Sequence, residues 1–131
     1  MLAAYRSVAT HGGVAAADPH QLILMLLDGA LERLAKARGC LERGAQAEKT
    51  QHVSRALAIV GELRASLDPA QGQIAERLDA LYDYITRQLL RAHVDHDPRL
   101  LDLLAGLLGE IRAAWIAIPV QERTRTQASR R

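Results

Sequence analysis

Asp18-Pro19-His20-Gln21-Leu22-Ile23-Leu24-Met25-Leu26-Leu27-Asp28-Gly29-Ala30 carries the strongest structural signal in the chain. It opens with a helix-start signal. An Asp side chain accepts hydrogen bonds from the free N–H groups of a first turn, and Pro at the next position lacks an N–H that would have gone unpaired there. Six large apolar residues, Leu22 to Leu27, then follow without interruption. Such a run covers more than one face of a helix, so this segment has to touch several neighbours. It is too short to span a bilayer and is therefore a core element.

Outward from this stretch, apolar residues recur at spacings of three and four through Ala30, Leu34, Ala37 and Leu41. That period predicts a helix from about Pro19 to near Arg43, with Gly44 as a left-handed stop. A second helix is expected over about Ala47 to Ser66, with Val53, Leu57, Val60, Leu63 and Leu67 on one side and Lys49, Arg55, Glu62 and Arg64 largely on the other. Asp68-Pro69-Ala70-Gln71-Gly72 breaks the pattern, and a third helix resumes near Gln73 with Ile74, Leu78, Leu81, Tyr82, Ile85, Leu89 and Ala92. Val94-Asp95-His96-Asp97-Pro98 repeats the same punctuation ahead of a fourth helix, about Pro98 to Ile118, which Pro119 ends. All four prolines fall at element boundaries, three of them as Asp-Pro, and the connections are short enough to make successive helices antiparallel. The expected architecture is all-α: an antiparallel four-helix bundle over residues 18–118, with a flexible N-terminal arm (1–17) and a disordered basic C-terminal tail (119–131).

Composition agrees. The chain has 131 residues, room for one domain with a real core and not for two. Phe is absent and aromatic residues make up only 3%, so the core has to be built from aliphatic side chains on helices. The formal charge is +2, but Arg123, Arg125, Arg130 and Arg131 against Glu122 put +3 on the tail and leave about -1 for the rest. No domain-wide basic face results, which removes the main support for nucleic-acid binding. Cys40 is the single cysteine, so no internal disulfide forms, and packing explains it better than nucleophilic chemistry. The first 17 residues contain Arg6 and His11 and no continuous apolar run, unlike a signal peptide, so a cytoplasmic location is expected.

Little in the chain suggests catalysis. A di-metal bundle needs Glu-x-x-His pairs on two helices, and there is none. His93-x-x-His96, with Asp95 and Asp97, is the one ligand-dense patch. It falls where the third helix ends and the fourth is capped, which accounts for it without a metal. His11, His20 and His52 have no nucleophile or carboxylate pattern around them, and no Gly-rich phosphate loop or hydrolase motif is present. Neither an enzyme nor a cofactor is expected. The fourth helix is the oddity: ten large apolar residues in 21 exceed the three in seven that one bundle seam uses. Leu103, Leu107 and Ile116 are surplus, and either fuller burial or a groove for a partner's apolar helix would use them. Trp115 has the same two readings.

Four collinear segments resemble one known family. They are Pro19 to Ala30, Glu62-Leu63-Arg64-Ala65-Ser66-Leu67-Asp68, Leu78-Asp79-Ala80-Leu81-Tyr82-Asp83-Tyr84 and Arg112-Ala113-Ala114-Trp115. In order and with similar spacing, from Tyr5 to Ile118, these resemble the flagellar secretion chaperone family FliS. The resemblance implies a small cytoplasmic helical bundle that binds the C-terminal segment of flagellin, prevents its premature polymerisation and delivers it to the flagellar type III export gate. It implies no cofactor and no catalytic step, and self-association of the free chain stays open; the charge balance and the short apolar runs add the expectation of no nucleic acid and no membrane insertion. The residues expected to meet flagellin are Tyr5, Val8, Ile23, Leu26, Leu27, Tyr82, Leu103, Leu107 and Trp115. Leu27 departs from the family, which commonly has Tyr before this Asp-Gly-Ala; the change removes a hydroxyl and keeps an apolar side chain. An arm carrying Tyr5 and Val8 could occupy the groove in the free chain. The alternative reading is a generic helical adaptor or regulator that takes another amphipathic helix.

Overall fold

The computed structural model describes residues 18–118. Within them lie four α-helices and no strand: α1 (Pro19–Arg43), α2 (Gln46–Ala65), α3 (Gln73–Asp95) and α4 (Pro98–Ile116). The arm and the tail of the sequence reading lie outside the described residues.

Local chemistry sets each boundary. All three Asp-Pro pairs are caps. Asp18 accepts from the Gln21 amide at 2.8 Å, Asp68 from the Ala70 amide at 3.0 Å, and Asp97 from the amides of Arg99 and Leu100 at 3.1 and 3.2 Å. The middle pair starts only a single 3-10 turn, Pro69–Gln71, before Gly72 redirects the chain into α3. Gly72 has φ 65° and ψ -126°, a conformation that a Cβ would strain. Gly44 closes α1 in the left-handed region, its amide reaching back to the carbonyls of Cys40 and Leu41, so two residues suffice to reverse the chain into α2. α4 stops at Ile116, two residues earlier than expected, because Pro119 disfavours helical backbone at the residue before it.

Each helix packs mainly against two neighbours, α1 on α2 and α4, α3 on α2 and α4, which gives a four-cornered antiparallel bundle. The α1–α2 seam is the most extensive and α3–α4 the least. The opening stretch supplies Ile23, Leu26, Leu27 and Ala30 to one continuous core, joined by Ile59, Val60 and Leu63 of α2, Tyr82, Ile85 and Leu89 of α3, and Leu101, Leu104 and Leu108 of α4. Burial pushes the Tyr82 phenol up to about 12, so it stays neutral in any ordinary buffer.

One expectation is corrected. Lys49, expected on the wet side of the second helix, is only 1% exposed and among the largest fully buried side chains. Its stem packs inward while its ammonium finds acceptors at the end of α3. Period alone could not have located those acceptors, since they are 44 and 47 residues away.

Candidate functional site

The core leaves the α3–α4 seam open near the end where α3 begins and α4 finishes. Ile74, Leu78 and Leu81 share one face of α3; Leu107, Ile111 and Ala114 share one face of α4, at spacings of four and three. Because the helices are antiparallel, these two rows flank a groove of about 440 Å³, to which Trp115 and Ile118 add their side chains. Glu110 is the only charged residue among those that line it. Ile74, at the lip, is 66% exposed. Two rows of aliphatic side chains at helical spacing with one charge between them suit the apolar face of an amphipathic helix.

One wall of the groove is held by a contact across 95 residues of sequence. The Trp115 indole N–H donates to the His20 carbonyl at 2.9 Å, and His20 Nε2 stands 2.7 Å from the Trp115 carbonyl. A carbonyl can only accept, so Nε2 carries the proton. The two rings stack with centroids 5.1 Å apart at 14°. Close by, Arg112 pairs with Asp28, so the end of α4 is fastened to the start of α1 rather than to α3.

A second cavity, about 560 Å³, lies over α1 and α2. Glu32, Lys36, Arg43, Glu48 and His52 surround it, giving mixed charge rather than apolar rows. Cys40 at its edge is buried, with Arg43 Nη2 donating to Sγ at 3.5 Å. The His93–His96 patch is not arranged for a metal: the Lys49 ammonium sits 2.5 Å from His96 Nδ1, where it would repel a cation. No group of three or more His, Cys, Asp or Glu among the described residues is placed to hold one.

Comparison with known proteins adds the family. Residues 1–122 match the model of the family described as flagellar protein FliS. The chain belongs to the FliS family. It is 41% identical over 115 residues to the flagellar secretion chaperone FliSB of Pseudomonas aeruginosa, covering 87% of this chain and 91% of that one. It is 42% identical over 114 residues to the flagellar secretion chaperone FliS of Salmonella typhimurium (86% and 84%), and 35% identical over 128 residues to that of Vibrio cholerae (97% and 94%). FliS proteins are chaperones, not enzymes. The matched region contains the whole described bundle, and no described helix is long and apolar enough to cross a membrane.

Against this FliS bundle the expected contact residues separate into three groups. Leu107 and Trp115 line the groove; Leu103, one turn before Leu107, is 51% exposed on the same helix. Ile23, Leu26, Leu27 and Tyr82 are buried in the core, where they support the bundle and present no surface. Tyr5 and Val8 lie outside the described residues. Sequence reasoning did not nominate Ile74, Leu78, Leu81, Ile111, Ala114 or Ile118 as contacts. Their period put Ile74, Leu78 and Leu81 on the apolar stripe of the third helix, and only the separation of α3 from α4 turns that stripe into a groove wall. Ala114 carries no apolar bulk to notice.

Proposed function

We propose that this chain is a cytoplasmic export chaperone that captures the C-terminal segment of flagellin in the α3–α4 groove. The observation that carries this reading is the pair of aliphatic rows facing each other with Glu110 as their single charge. The names of the FliS relatives, flagellar secretion chaperones, support the same class of role. A segment that is disordered when free folds its apolar stripe onto such a groove. Apolar burial, worth about 25 cal/mol per Å², offsets the ordering cost. Capture hides the surface that would otherwise pack flagellin against flagellin, and the complex is then handed to the type III export gate. No bond is made or broken.

The test is a titration of the purified full chain with a flagellin C-terminal peptide, followed by circular dichroism and by the mass of the complex. A gain in helicity and a stoichiometric complex are expected. Leu107→Asp should weaken that complex by about thirtyfold or more, the loss of roughly 2 kcal/mol expected of a central apolar anchor, while the bundle stays helical. No complex, or a complex indifferent to Leu107→Asp and to Ile74→Asp, rejects this site. Equal affinity for unrelated amphipathic helices would make the chain a generic helical adaptor instead.

A further inference from the structure

The elbow between α3 and α4 is built around three basic groups. His96 occupies the left-handed region, φ 50° and ψ 48°, the only described residue other than glycine with positive φ. A residue with a Cβ is strained there, so something has to hold it. The buried Lys49 does so from the first turns of α2: its ammonium donates to the His93 carbonyl at 3.1 Å and lies 2.5 Å from His96 Nδ1. An ammonium has donors only, so the contact requires a lone pair on Nδ1, and His96 must present that nitrogen unprotonated. His93 adds a second imidazole whose Nδ1 is buried and meets no protein hydrogen-bond partner.

We propose that Lys49, His93 and His96 form a proton-sensitive pin on the α3–α4 elbow. With both imidazoles neutral, Lys49 ties α2 to the elbow. A proton on His96 removes the lone pair that Lys49 uses, and a proton on either ring sets a second positive charge against a buried ammonium. The pin then releases.

Among the described residues no carboxylate forms an ion pair with either imidazole. From α2 the facing group is Lys49 itself, and the adjacent Glu48 is engaged with Arg43 of α1 at 3.7 Å. On α3, Asp95 pairs with Arg91 at 3.6 Å. From the start of α4, Asp97 spends Oδ1 on the amides of Arg99 and Leu100, and Arg99 is exposed. Burial, then Lys49, then His96 hold His93 below its ordinary value of 6.5. Its contribution to stability is therefore complete above about pH 6.5 and is lost as pH falls from there through the lowered value. Burial likewise lowers Lys49, which stays a donor.

The pin is independent of what fills the groove, and it is tested on the free full chain. Hydrogen exchange, corrected for intrinsic rates, is followed at the Asp97 amide, which bonds to the Ala92 carbonyl, and at Ala30 in α1 as a control. From about pH 7.5 to about 5.5, Asp97 should lose about tenfold or more in protection while Ala30 changes little, one pK unit being a factor of ten. The variant His93→Gln/His96→Asn should show no such selective loss, because Asn accepts a hydrogen bond and tolerates the left-handed region. Equal selective losses in wild type and variant, or none in wild type, overturn the pin. A second measurement needs no histidine substitution. The His93 imidazole should titrate below 6.5 in the wild type and move upward in Lys49→Met, which keeps the buried stem and removes the charge. A His93 midpoint unmoved by Lys49→Met overturns the coupling.

Discussion

The two helical hairpins of this chain follow one plan and end differently. α1 and α2 are joined by two residues, carry the fully buried alanines Ala30, Ala37 and Ala56, and share the most extensive seam. Small side chains let helices approach closely, so larger neighbours such as Leu34 and Val60 finish fully covered. α3 and α4 are also joined by two residues, His96 and Asp97, but they share the least extensive seam. Ile74, Leu90, Leu103 and Ile116 remain exposed along them. The most leucine-rich helix of the four buries only Leu101, Leu104 and Leu108. Apolar content alone does not say where the core is; the geometry of the seam does. One hairpin spends its aliphatic residues on the core and the other leaves part of them exposed or lining the groove.

The sharpest way to break this contrast is to truncate matched leucines. Leu34→Ala, in the closed hairpin, is expected to cost about 2–5 kcal/mol, the range for a fully buried leucine whose site cannot collapse. Leu107→Ala, on the groove wall, should cost about 1 kcal/mol or less, because its side chain is only partly covered to begin with. Urea unfolding measures both. Equal costs would mean that the α3–α4 seam is closed in solution and that the groove is not available to a partner.

A smaller effect is expected where the open hairpin is fastened back to the closed one. His20→Ala removes the ring stacked on Trp115 and the hydrogen bond to the Trp115 carbonyl, while the indole can still donate to the backbone at residue 20. A loss of about 1–2 kcal/mol follows from one hydrogen bond plus one aromatic contact. Thermal unfolding together with tryptophan fluorescence reads it. If fluorescence is unchanged, Trp115 is held by the groove side chains and not by α1.

Most of the bundle could be read from residues in sequence. The Asp-Pro caps at Asp18 and Asp97, the stop at Gly44 and the heptad-like spacing from Ile23 to Ala37 are local signals, and each is where local chemistry puts it. What escaped were contacts between residues far apart. His20 looked unengaged because its partner is 95 positions away, and Lys49 looked solvated because its acceptors lie in the last turn of α3 and in the elbow after it. The groove escaped in part for the same reason. Ile74, Leu78 and Leu81 have the spacing of a core stripe, and no period can tell a stripe facing a close neighbour from one facing a distant neighbour. The family resemblance rests on linear motifs and needs none of this geometry.

The smallest predicted effect asks what keeps α4 against α1. Arg38 bridges them, bonding to Asp102 at 3.2 Å while also pairing with Glu42 at 2.8 Å, and Arg112 pairs with Asp28 further along the seam. No ion pair joins α3 to α4 among the described residues. If charge held α4 in place, this asymmetry would explain the open seam. The magnitudes argue otherwise: exposed pairs of this kind contribute about 0.5 kcal/mol and weaken in salt, whereas each fully buried leucine of α4 contributes about 1.5–3 kcal/mol. Arg38→Ala should therefore cost about 0.5 kcal/mol or less in urea unfolding, and 1 M salt should remove most of that difference. A cost above about 1 kcal/mol that disappears in salt would move the hold on α4 from Leu101, Leu104 and Leu108 to the ion pairs. The width of the groove would then vary with ionic strength, and the contrast between the hairpins would be electrostatic in origin and not one of packing.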